Sequence, residues 1–293
     1  MIFINILISI NDNYVDCAID TFRSISFYNK DFFNIYLIYD NLSEESIDKL
    51  QNFIKENNIG KLYLYFYDFK DYSFNINIKH ISRETYFRLY APYILPKSID
   101  KILYIDVDII CRGSIKELYN TPLDGNIFGA VENVDPDVNF LPWINQRLGL
   151  DINNPYYNAG VLLIDLNEYR NFTTAEEITK FINENEEIIW CQDQDVINKM
   201  FNGKIKKLDD TYNYQVNHID ISKVVYNKVL THYLSSTKPW KKEYFLPFHG
   251  VNYYRYLLEN KEFDKFNYLV LNHISNANLN IFQIHDLLLK IFE

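Results

Sequence analysis

The stretch KILYIDVDIICR, residues 101–112, decides the fold, because a buried strand in it runs directly into two aspartates. Its first five residues are mostly large and apolar, as in a strand covered on both faces. Side chains two residues apart on an extended chain face the same way, so Asp106 and Asp108 can hold one cation while Val107 points into the core. Carboxylate oxygens suit Mg²⁺ or Mn²⁺. On spacing alone, a solvated strand end is an equal alternative.

Apolar strand patterns alternate with helical patterns on both sides of this stretch. Strand patterns cover residues 2–10, 35–39, 62–66, 101–105, 126–131 and 160–165, and helical patterns cover residues 17–26, 43–57, 82–95, 174–185 and 193–201. Pro92 is expected to kink or end the third helical pattern. This order predicts an α/β fold with a doubly wound, mostly parallel sheet. We expect residues 1–245 to form one domain and residues 246–293 a mostly helical C-terminal extension.

Ligands of doubly wound sheets bind at the carboxyl ends of the strands. Asp106 and Asp108 follow one strand, the turn at residues 11–14 follows the first strand, and the strand pattern at residues 160–165 ends in an aspartate. We therefore expect these two aspartates, the turn and the end of the 160–165 strand to meet in one crevice.

Composition limits the class of protein. Of the 293 residues, 48 % are hydrophobic, which is enough for a full core, and the net charge of −10 argues against nonspecific nucleic-acid binding. Cys17, Cys111 and Cys191 have no metal-binding spacing, and we interpret them as small buried hydrophobes in a reducing compartment. The N-terminus lacks the basic residues and cleavage site of a signal peptide, and no run reaches the ~20 apolar residues of a membrane span, so we expect a cytoplasmic location.

The pattern D-x-D occurs three times, and one metal site cannot use all three as its chelating pair. Residues 135–137 lie in a segment of low apolar content, which favours a surface loop. Residues 193–195 open a helical pattern, where carboxylates commonly accept hydrogen bonds from unpaired N–H groups. Residues 106–108 follow a buried strand in the middle of the predicted sheet and are the favoured pair.

Five regions, taken in order, resemble glycosyltransferase family 8. They are NDNY (11–14), HISRETYFRL (80–89), IDVDIICR (105–112), PYYNAGVLLIDL (155–166) followed by QDQDVIN (192–198), and THYLSSTKPW (231–240). The family includes bacterial lipooligosaccharide galactosyl- and glucosyltransferases and, more distantly, glycogenin; the resemblance covers residues 2–242. It implies a Rossmann-like, glycosyltransferase A-type domain. It also implies a retaining transfer of galactose or glucose from a UDP-sugar to a hydroxyl of a glycan or glycolipid acceptor, with Mn²⁺ or Mg²⁺ as cofactor.

The resemblance assigns residues to the metal and the nucleotide sugar. Asp106, Asp108 and His232 match metal ligands, and imidazole beside carboxylates suits Mn²⁺ better than Mg²⁺. Lys238 matches a cation that stabilises the departing UDP. The residues expected to bind the nucleotide sugar are Asn11, Asp12, Asn13, Tyr14, Arg88, Asp106, Val107, Asp108, Asn158, Ala159, Gly160, Asp193, Gln194, His232, Ser235 and Lys238.

Individual roles follow from the same resemblance. Tyr14 would stack on uracil, with the amides and carboxylate of residues 11–13 bonding base and ribose. Residues 158–160 would line the donor sugar, where Gly160 permits close approach of the backbone. The Arg88 guanidinium suits either a phosphate or a carboxylate of the donor site, which it would orient. The alternative interpretation of Arg88 is an ion pair with Glu84, four residues earlier. Trp240 offers a sugar-stacking face or simply packs.

Two residues depart from the pattern of the relatives. Asn11 stands where lipooligosaccharide enzymes often have an acidic residue that contacts uracil. Ser235 stands where relatives often have glycine near the pyrophosphate, so that its hydroxyl either donates to a phosphate or crowds it.

Asp193, Gln194 and Lys238 are the candidate catalytic residues. Asp193 would bind hydroxyls of the donor sugar, and Gln194 would lie nearest its anomeric carbon. Because an amide is a poor nucleophile, we favour a front-face mechanism, in which the acceptor attacks from the side on which UDP leaves.

Two alternatives stay open. A haloacid-dehalogenase-type phosphatase also places D-x-D after a buried strand and could use residues 209–210 as its second acidic pair. A non-catalytic module that binds nucleotide sugars or glycans is the other. Residues 246–293 carry a net charge of −1 (four basic minus five acidic side chains), which gives no electrostatic membrane anchor, so we expect peripheral membrane association only through the substrate.

Overall fold

The computed structural model describes residues 3–69, 82–135, 137, 139–216, 228–234 and 238–292. The strands are β1 (Phe3–Ser9), β2 (Phe32–Tyr39), β3 (Gly60–Phe66), β4 (Lys101–Ile105), β5 (Ile109–Cys111), β6 (Phe128–Glu132), β7 (Tyr157–Asp165), β8 (Ile205–Lys207), β9 (Tyr214–Val216) and β10 (Leu230–Tyr233). The α-helices are α1 (Val15–Tyr28), α2 (Glu44–Glu56), α3 (Phe87–Ile94), α4 (Lys116–Asn120), α5 (Phe140–Arg147), α6 (Leu166–Phe172), α7 (Ala175–Glu184), α8 (Gln192–Met200), α9 (Val251–Glu259), α10 (Phe263–Asn276) and α11 (Ile281–Phe292). Short 3₁₀ helices cover Asp12–Tyr14, Arg83–Tyr86 and Asp210–Tyr212.

A seven-stranded sheet forms the centre of the molecule, in the order β3-β2-β1-β4-β7-β6-β8. The side chains of β1 alternate between its two faces: Ile4, Ile6 and Ile8 pack with α1 and α2, whereas Leu7 packs with α3, α6, α7 and α8. Both faces are covered, which explains why the strand patterns are almost continuously apolar. The predicted α/β fold with a mostly parallel sheet is confirmed.

Strand β7 is the exception, because it runs antiparallel to both of its neighbours, β4 and β6. Ile105 at the end of β4 pairs with Val161 in the middle of β7, and Lys101 at the start of β4 pairs with Asp165 at the end of β7. The expectation that the end of the 160–165 strand lies in the crevice was therefore wrong. Asp165 lies at the opposite edge of the sheet, where its carboxylate accepts hydrogen bonds from the first turn of α6. An apolar pattern is the same for either strand direction, so the sequence could not reveal this.

A second, three-stranded sheet in the order β5-β10-β9 carries His232 to the two aspartates. Strand β5 follows β4 after a break of three residues, 106–108, and β10 is antiparallel to β5. The C-terminal helices pack against this small sheet, since Val251 and Leu257 of α9 share a hydrophobic cluster with Ile110 and Tyr233.

Helices occupy most of residues 251–292, as expected for the C-terminal segment, and charged contacts tie them to the rest of the chain. Arg112 lies 3.0 Å from Glu259, and Arg23 lies 3.0 Å from Glu262. The domain division at residue 245 stays a prediction. Within the described ranges, no helix has both the length and the apolar character needed to cross a bilayer.

Candidate active site

A cleft of about 930 Å³ opens at the end of β1, the break between β4 and β5, and the start of β7. Its size is that of a small-molecule site. The predicted site residues that line it are Asn11, Asn13, Tyr14, Arg88, Asp106, Val107, Asp108, Asn158, Ala159, Gly160, Asp193, Gln194, His232 and Lys238. Segments that are far apart in sequence thus converge on one cavity. This convergence was expected for residues that directly follow strands of the sheet.

Two predicted residues do not belong to this set. Asp12 points away from the cleft, and its Oδ1 accepts hydrogen bonds from the Ser43 N–H at 2.9 Å and the Ser43 hydroxyl at 2.8 Å. Asp12 therefore ties the turn after β1 to the start of α2, and its predicted contact with base or ribose finds no support here. Ser235 lies outside the described residues, as do His80 and His218.

Hydrogen bonds from three directions hold the backbone of residues 106–108. The Asp106 N–H donates to the Gly160 carbonyl at 2.7 Å, the Thr21 hydroxyl donates to the Val107 carbonyl at 2.8 Å, and the Tyr233 N–H donates to the Asp108 carbonyl at 3.1 Å. Val107 belongs to the core, as predicted. The two carboxylates on either side of it are consequently fixed toward the cleft.

Asp106, Asp108 and His232 form one compact group, with ligand atoms all within 4.8 Å of one another. His232 Nε2 lies 3.0 Å from Asp108 Oδ1 and 3.8 Å from Asp106 Oδ2. Gly160 leaves room for the ring, because a Cβ at that position would lie 2.2 Å from His232 Cε1. The three residues predicted from the sequence are therefore brought together by β4, β7 and β10.

The atoms of this group fit a divalent cation. Asp108 Oδ1 is buried and accepts no hydrogen bond from any described residue, although His232 Nε2 is close to it. His232 Nδ1 lies 2.9 Å from Asn213 Oδ1, so in the neutral form of the ring Nδ1 carries the hydrogen and the Nε2 lone pair faces Asp108. Two lone pairs then face each other, an arrangement that a bound cation relieves. Two carboxylates and an imidazole suit Mn²⁺.

Lys238 adjoins the same group. Its ammonium donates to Asp108 Oδ2 at 2.6 Å and to the Tyr233 carbonyl. Burial alone would raise the pKa of Asp108, but the ammonium of Lys238 is foremost among the groups that hold that pKa below its usual value. The Asp108 carboxylate is therefore ionised at neutral pH, and Lys238 is the cation that balances its charge in this structure.

Arg88, on α3, joins the metal group to the opposite wall of the cleft. Its Nη2 lies 3.1 Å from Asp106 Oδ1, and its Nε lies 3.1 Å from Asp193 Oδ2. Burial alone would lower the pKa of Arg88, but Asp106 and Asp193 raise it. The arrangement favours a role in orienting carboxylates. The alternative ion pair with Glu84 was wrong, since the guanidinium pairs with Asp106 and Asp193, and Glu84 instead accepts a hydrogen bond from Asn11 Nδ2 at 3.2 Å.

The two aspartates at the start of α8 have different partners, because residues two apart on a helix do not face each other. Asp195 accepts hydrogen bonds from the N–H groups of Trp190 at 2.6 Å and Cys191 at 2.7 Å, which confirms the capping interpretation for this residue. For Asp193 that interpretation was wrong: it lines the cleft and accepts a hydrogen bond from the Thr85 hydroxyl at 2.5 Å. Burial raises the pKa of Asp193 to about 6.

Gln194 reaches from α8 to the start of β7. Its Oε1 accepts hydrogen bonds from Asn158 Nδ2 at 3.1 Å and from the Ala159 N–H at 3.0 Å. Both lone pairs of this carbonyl oxygen are engaged, so its position beside residues 158–160 is fixed by the strand.

The sequence interpretation missed several residues that shape the site. Thr85 and Tyr104 lie within the quoted motifs and could have been noticed: Tyr104 donates to Asp106 at 2.5 Å and stacks under the Arg88 guanidinium. Asn213 had no signal, because it comes 19 residues before His232 in no recognisable motif. Trp190 also lines the cleft.

Two other sequence interpretations are corrected. Only Cys111 is buried; Cys17 and Cys191 are half-buried and line the cleft, and an isolated cysteine carries no periodic pattern that could have indicated this. The pair at residues 209–210 does not line the cleft: Asp209 caps a 3₁₀ turn, and Asp210 pairs with Lys228. The pair that the phosphatase alternative would use as its second acidic pair is therefore absent from the described wall of the cleft.

Comparison with known proteins identifies the class of this fold. The galactosyltransferase LgtC, solved in complex with donor and acceptor sugar analogues, superposes with a TM-score of 0.72 and 25 % identity over 81 % of this chain and 90 % of its own. The protein therefore has the α/β fold of a sugar-transferring enzyme.

The sequence comparisons give the family. The model of glycosyl transferase family 8 matches residues 5–244, and the chain belongs to that family. A lipopolysaccharide 1,2-glucosyltransferase of Escherichia coli K12 is 26 % identical over 88 % of this chain and 78 % of its own length. A lipopolysaccharide 1,3-galactosyltransferase of Salmonella typhimurium is 30 % identical over 55 % of this chain and half of its own length. The predicted family is thus confirmed, and the protein is a glycosyltransferase.

Proposed function

We propose that this protein transfers a hexose, galactose or glucose, from a UDP-sugar to a hydroxyl of a glycan or glycolipid acceptor. Transfer would proceed with retention at the anomeric carbon and require Mn²⁺ or Mg²⁺. The observation that carries the proposal is one cleft with the metal group of residues 106, 108 and 232 on one wall and Asp193 with Gln194 on the other. The curated relatives are named as lipopolysaccharide enzymes, which supports a role in surface-glycan synthesis.

The chain's own residues suit the two ends of the donor. Tyr14, at the edge of the cleft, offers a ring to uracil, with Asn11 and Asn13 beside it. A divalent ion held by Asp106, Asp108 and His232 would supply positive charge to the diphosphate. We propose that Lys238 turns from Asp108 to the β-phosphate once the donor is bound, where it stabilises the charge of the leaving UDP.

The sugar end has a carboxylate and a fixed amide. Asp193 bonds sugar hydroxyls, and its ionised form is the stronger acceptor for them. Gln194 is an unsuitable nucleophile, because amides are weak nucleophiles and its oxygen already accepts two hydrogen bonds. We therefore propose a front-face reaction. The bond from the anomeric carbon to the phosphate oxygen breaks with its electron pair going to UDP. The acceptor oxygen bonds to that carbon on the same face, and its proton passes to the leaving phosphate oxygen.

The test is a donor panel with Mn²⁺. UDP release from UDP-glucose and UDP-galactose is measured, and the anomeric configuration of the product is read by NMR. Asp108→Asn should lose metal binding and turnover. Asp137→Asn is the matched control, because Asp137 also ends a D-x-D pattern but its own side chain is exposed and does not line the cleft. Full turnover by Asp108→Asn would refute the metal assignment. A covalent glycosyl adduct on Gln194 or Asp193 would refute the front-face route.

A further inference from the structure

A chain of buried side-chain amides connects the candidate metal ligand to the residue expected beside the anomeric carbon. His232 Nδ1 bonds to Asn213 Oδ1 at 2.9 Å, and Asn213 Nδ2 donates to Asn158 Oδ1 at 2.8 Å. Asn158 Nδ2 in turn donates to Gln194 Oε1 at 3.1 Å. Asn213 itself is 1 % exposed and has no part in the wall of the cleft. Four side chains, from two strands, a helix and the residue that directly precedes β9, thus form one continuous path.

Two backbone N–H groups of β7 set the direction of every bond in this chain. The Gly160 N–H donates to one amide oxygen, Asn158 Oδ1, at 2.9 Å, and the Ala159 N–H donates to another, Gln194 Oε1, at 3.0 Å. A backbone N–H can only donate, so neither amide can be reversed without two donors facing each other. With Asn158 Oδ1 fixed as an acceptor, Asn213 must present its Nδ2 there and its Oδ1 to the imidazole.

The fixed direction has a consequence for the metal group. Asn213 Oδ1 can only accept, so the hydrogen of the neutral His232 ring is on Nδ1, and the Nε2 lone pair faces Asp108. We infer that Asn213 is a positioning residue, which holds His232 in the metal-binding tautomer and, through Asn158, joins its position to that of Gln194.

This inference rests on the proposed function insofar as His232 binds the metal and Gln194 lies at the sugar. Partners that orient a metal-binding histidine through its second nitrogen typically contribute about 10- to 100-fold to metal affinity. Here the same partner also reaches the catalytic side of the cleft. Loss of Asn213 should therefore affect metal binding and the chemical step by separate links.

The first measurement needs neither metal nor substrate. NMR of ¹⁵N-histidine-labelled, metal-free protein should show a His232 Nδ1–H resonance that is protected from solvent exchange, assigned by its absence in His232→Gln. Asn213→Leu removes the acceptor, so this protection should disappear, and Mn²⁺ affinity measured by calorimetry should fall by about 10- to 100-fold. Asn145→Leu is the matched control: Asn145 is also a buried asparagine, donating to the Asn154 carbonyl at 2.8 Å, but it lies outside the cleft. The Asn145→Leu variant should have a lower free energy of unfolding, but its His232 Nδ1–H protection and its Mn²⁺ affinity should be unchanged.

A second variant separates the two links and serves if Asn213→Leu does not fold. Asn213→Asp keeps an acceptor for the Nδ1–H but presents an oxygen to Asn158 Oδ1, where a donor is needed. Protection of the Nδ1–H and Mn²⁺ affinity should be retained, while kcat falls and KM for the donor is unchanged. A wild-type ring protonated only on Nε2 would overturn the inference, and so would a wild-type kcat in Asn213→Asp. Absence of donor turnover in the wild type would instead refute the proposed function, and the NMR measurement would still test the tautomer.

Discussion

For Gly160→Ala, the structure predicts a large loss of Mn²⁺ affinity from the addition of a single methyl group. A Cβ at residue 160 would lie 2.2 Å from His232 Cε1, 2.7 Å from His232 Nδ1 and 2.9 Å from Asp106 Oδ2. Carbon atoms in contact are normally about 3.5–4.0 Å apart, so the ring must retreat by more than ~1 Å. Ligand distances in metal sites are held to about ±0.2 Å, so a shift of this size removes the imidazole from the metal.

The ring has no easy direction in which to move. It is 3 % exposed, its Nδ1 is bonded to Asn213, and its own strand is paired on both sides, with Ile109 of β5 and Gln215 of β9. Overpacking at such a site typically lowers the free energy of unfolding by about 1–3 kcal/mol. Because a ligand is displaced rather than one of its supporting partners, Mn²⁺ affinity should fall by at least about 10- to 100-fold.

Two measurements check this reasoning, and one glycine provides the control. Calorimetric titration with Mn²⁺ gives the affinity, and chemical denaturation gives the free energy of unfolding. Gly113→Ala adds the same methyl group at the end of β5, where it would meet the side chain of Val229 at 3.2 Å, away from the cleft. That variant should keep wild-type Mn²⁺ affinity. Wild-type affinity in Gly160→Ala would show that His232 is not a metal ligand or that its position is not set by β7.

Three further predictions concern the charged residues of the cleft. Asp193 should give kcat/KM an acidic limb near its pKa of about 6, because the ionised form is the stronger acceptor of hydrogen bonds from sugar hydroxyls. The folded protein binds the Asp193 proton more tightly than the unfolded chain does. The contribution of Asp193 to the free energy of unfolding should therefore decrease as pH rises from 3.8 to about 6. Asp193→Asn should remove this pH dependence in denaturation experiments. Arg88→Met leaves two carboxylates without their shared cation, and its free energy of unfolding should fall by about 3–5 kcal/mol; a loss below 1 kcal/mol would contradict the pairing. Lys238→Met should bind Mn²⁺ more tightly, since no ammonium competes with the metal for Asp108, but its kcat should fall by about 10²- to 10³-fold. Lys207→Met, at an exposed site, is the control and should change neither quantity. Weaker Mn²⁺ binding by Lys238→Met would contradict the competition between Lys238 and the metal.

Much of the site could be predicted because its motifs are local. The strand before Asp106 is recognisable by its apolar run, and the carboxylates follow it directly. His232 was identified by the residues around it, and the structure brings it to 3.0 Å from Asp108. Residues at the ends of parallel strands meet at one edge of the sheet, so their positions in the sequence were informative about their proximity.

Other contacts depend on which segments lie beside each other, and no local pattern contains that information. Arg88 was expected either at a phosphate, at a carboxylate or at Glu84; in the folded chain it bridges Asp106 and Asp193. Asp193 had two interpretations, a helix cap and a group that binds the donor sugar, and the placement of α8 decided that it faces the cleft while Asp195 caps the helix.

The sequence alone determined the α/β class, the family and the identity of the three candidate metal ligands. These depend on the spacing of apolar and charged residues along the chain. The tertiary structure decided the direction of β7, which puts Asn158 and Gly160 rather than Asp165 at the cleft. It also decided the role of Asn213, since the direction of a buried hydrogen-bond chain is set by backbone N–H groups that only the folded strands bring into place.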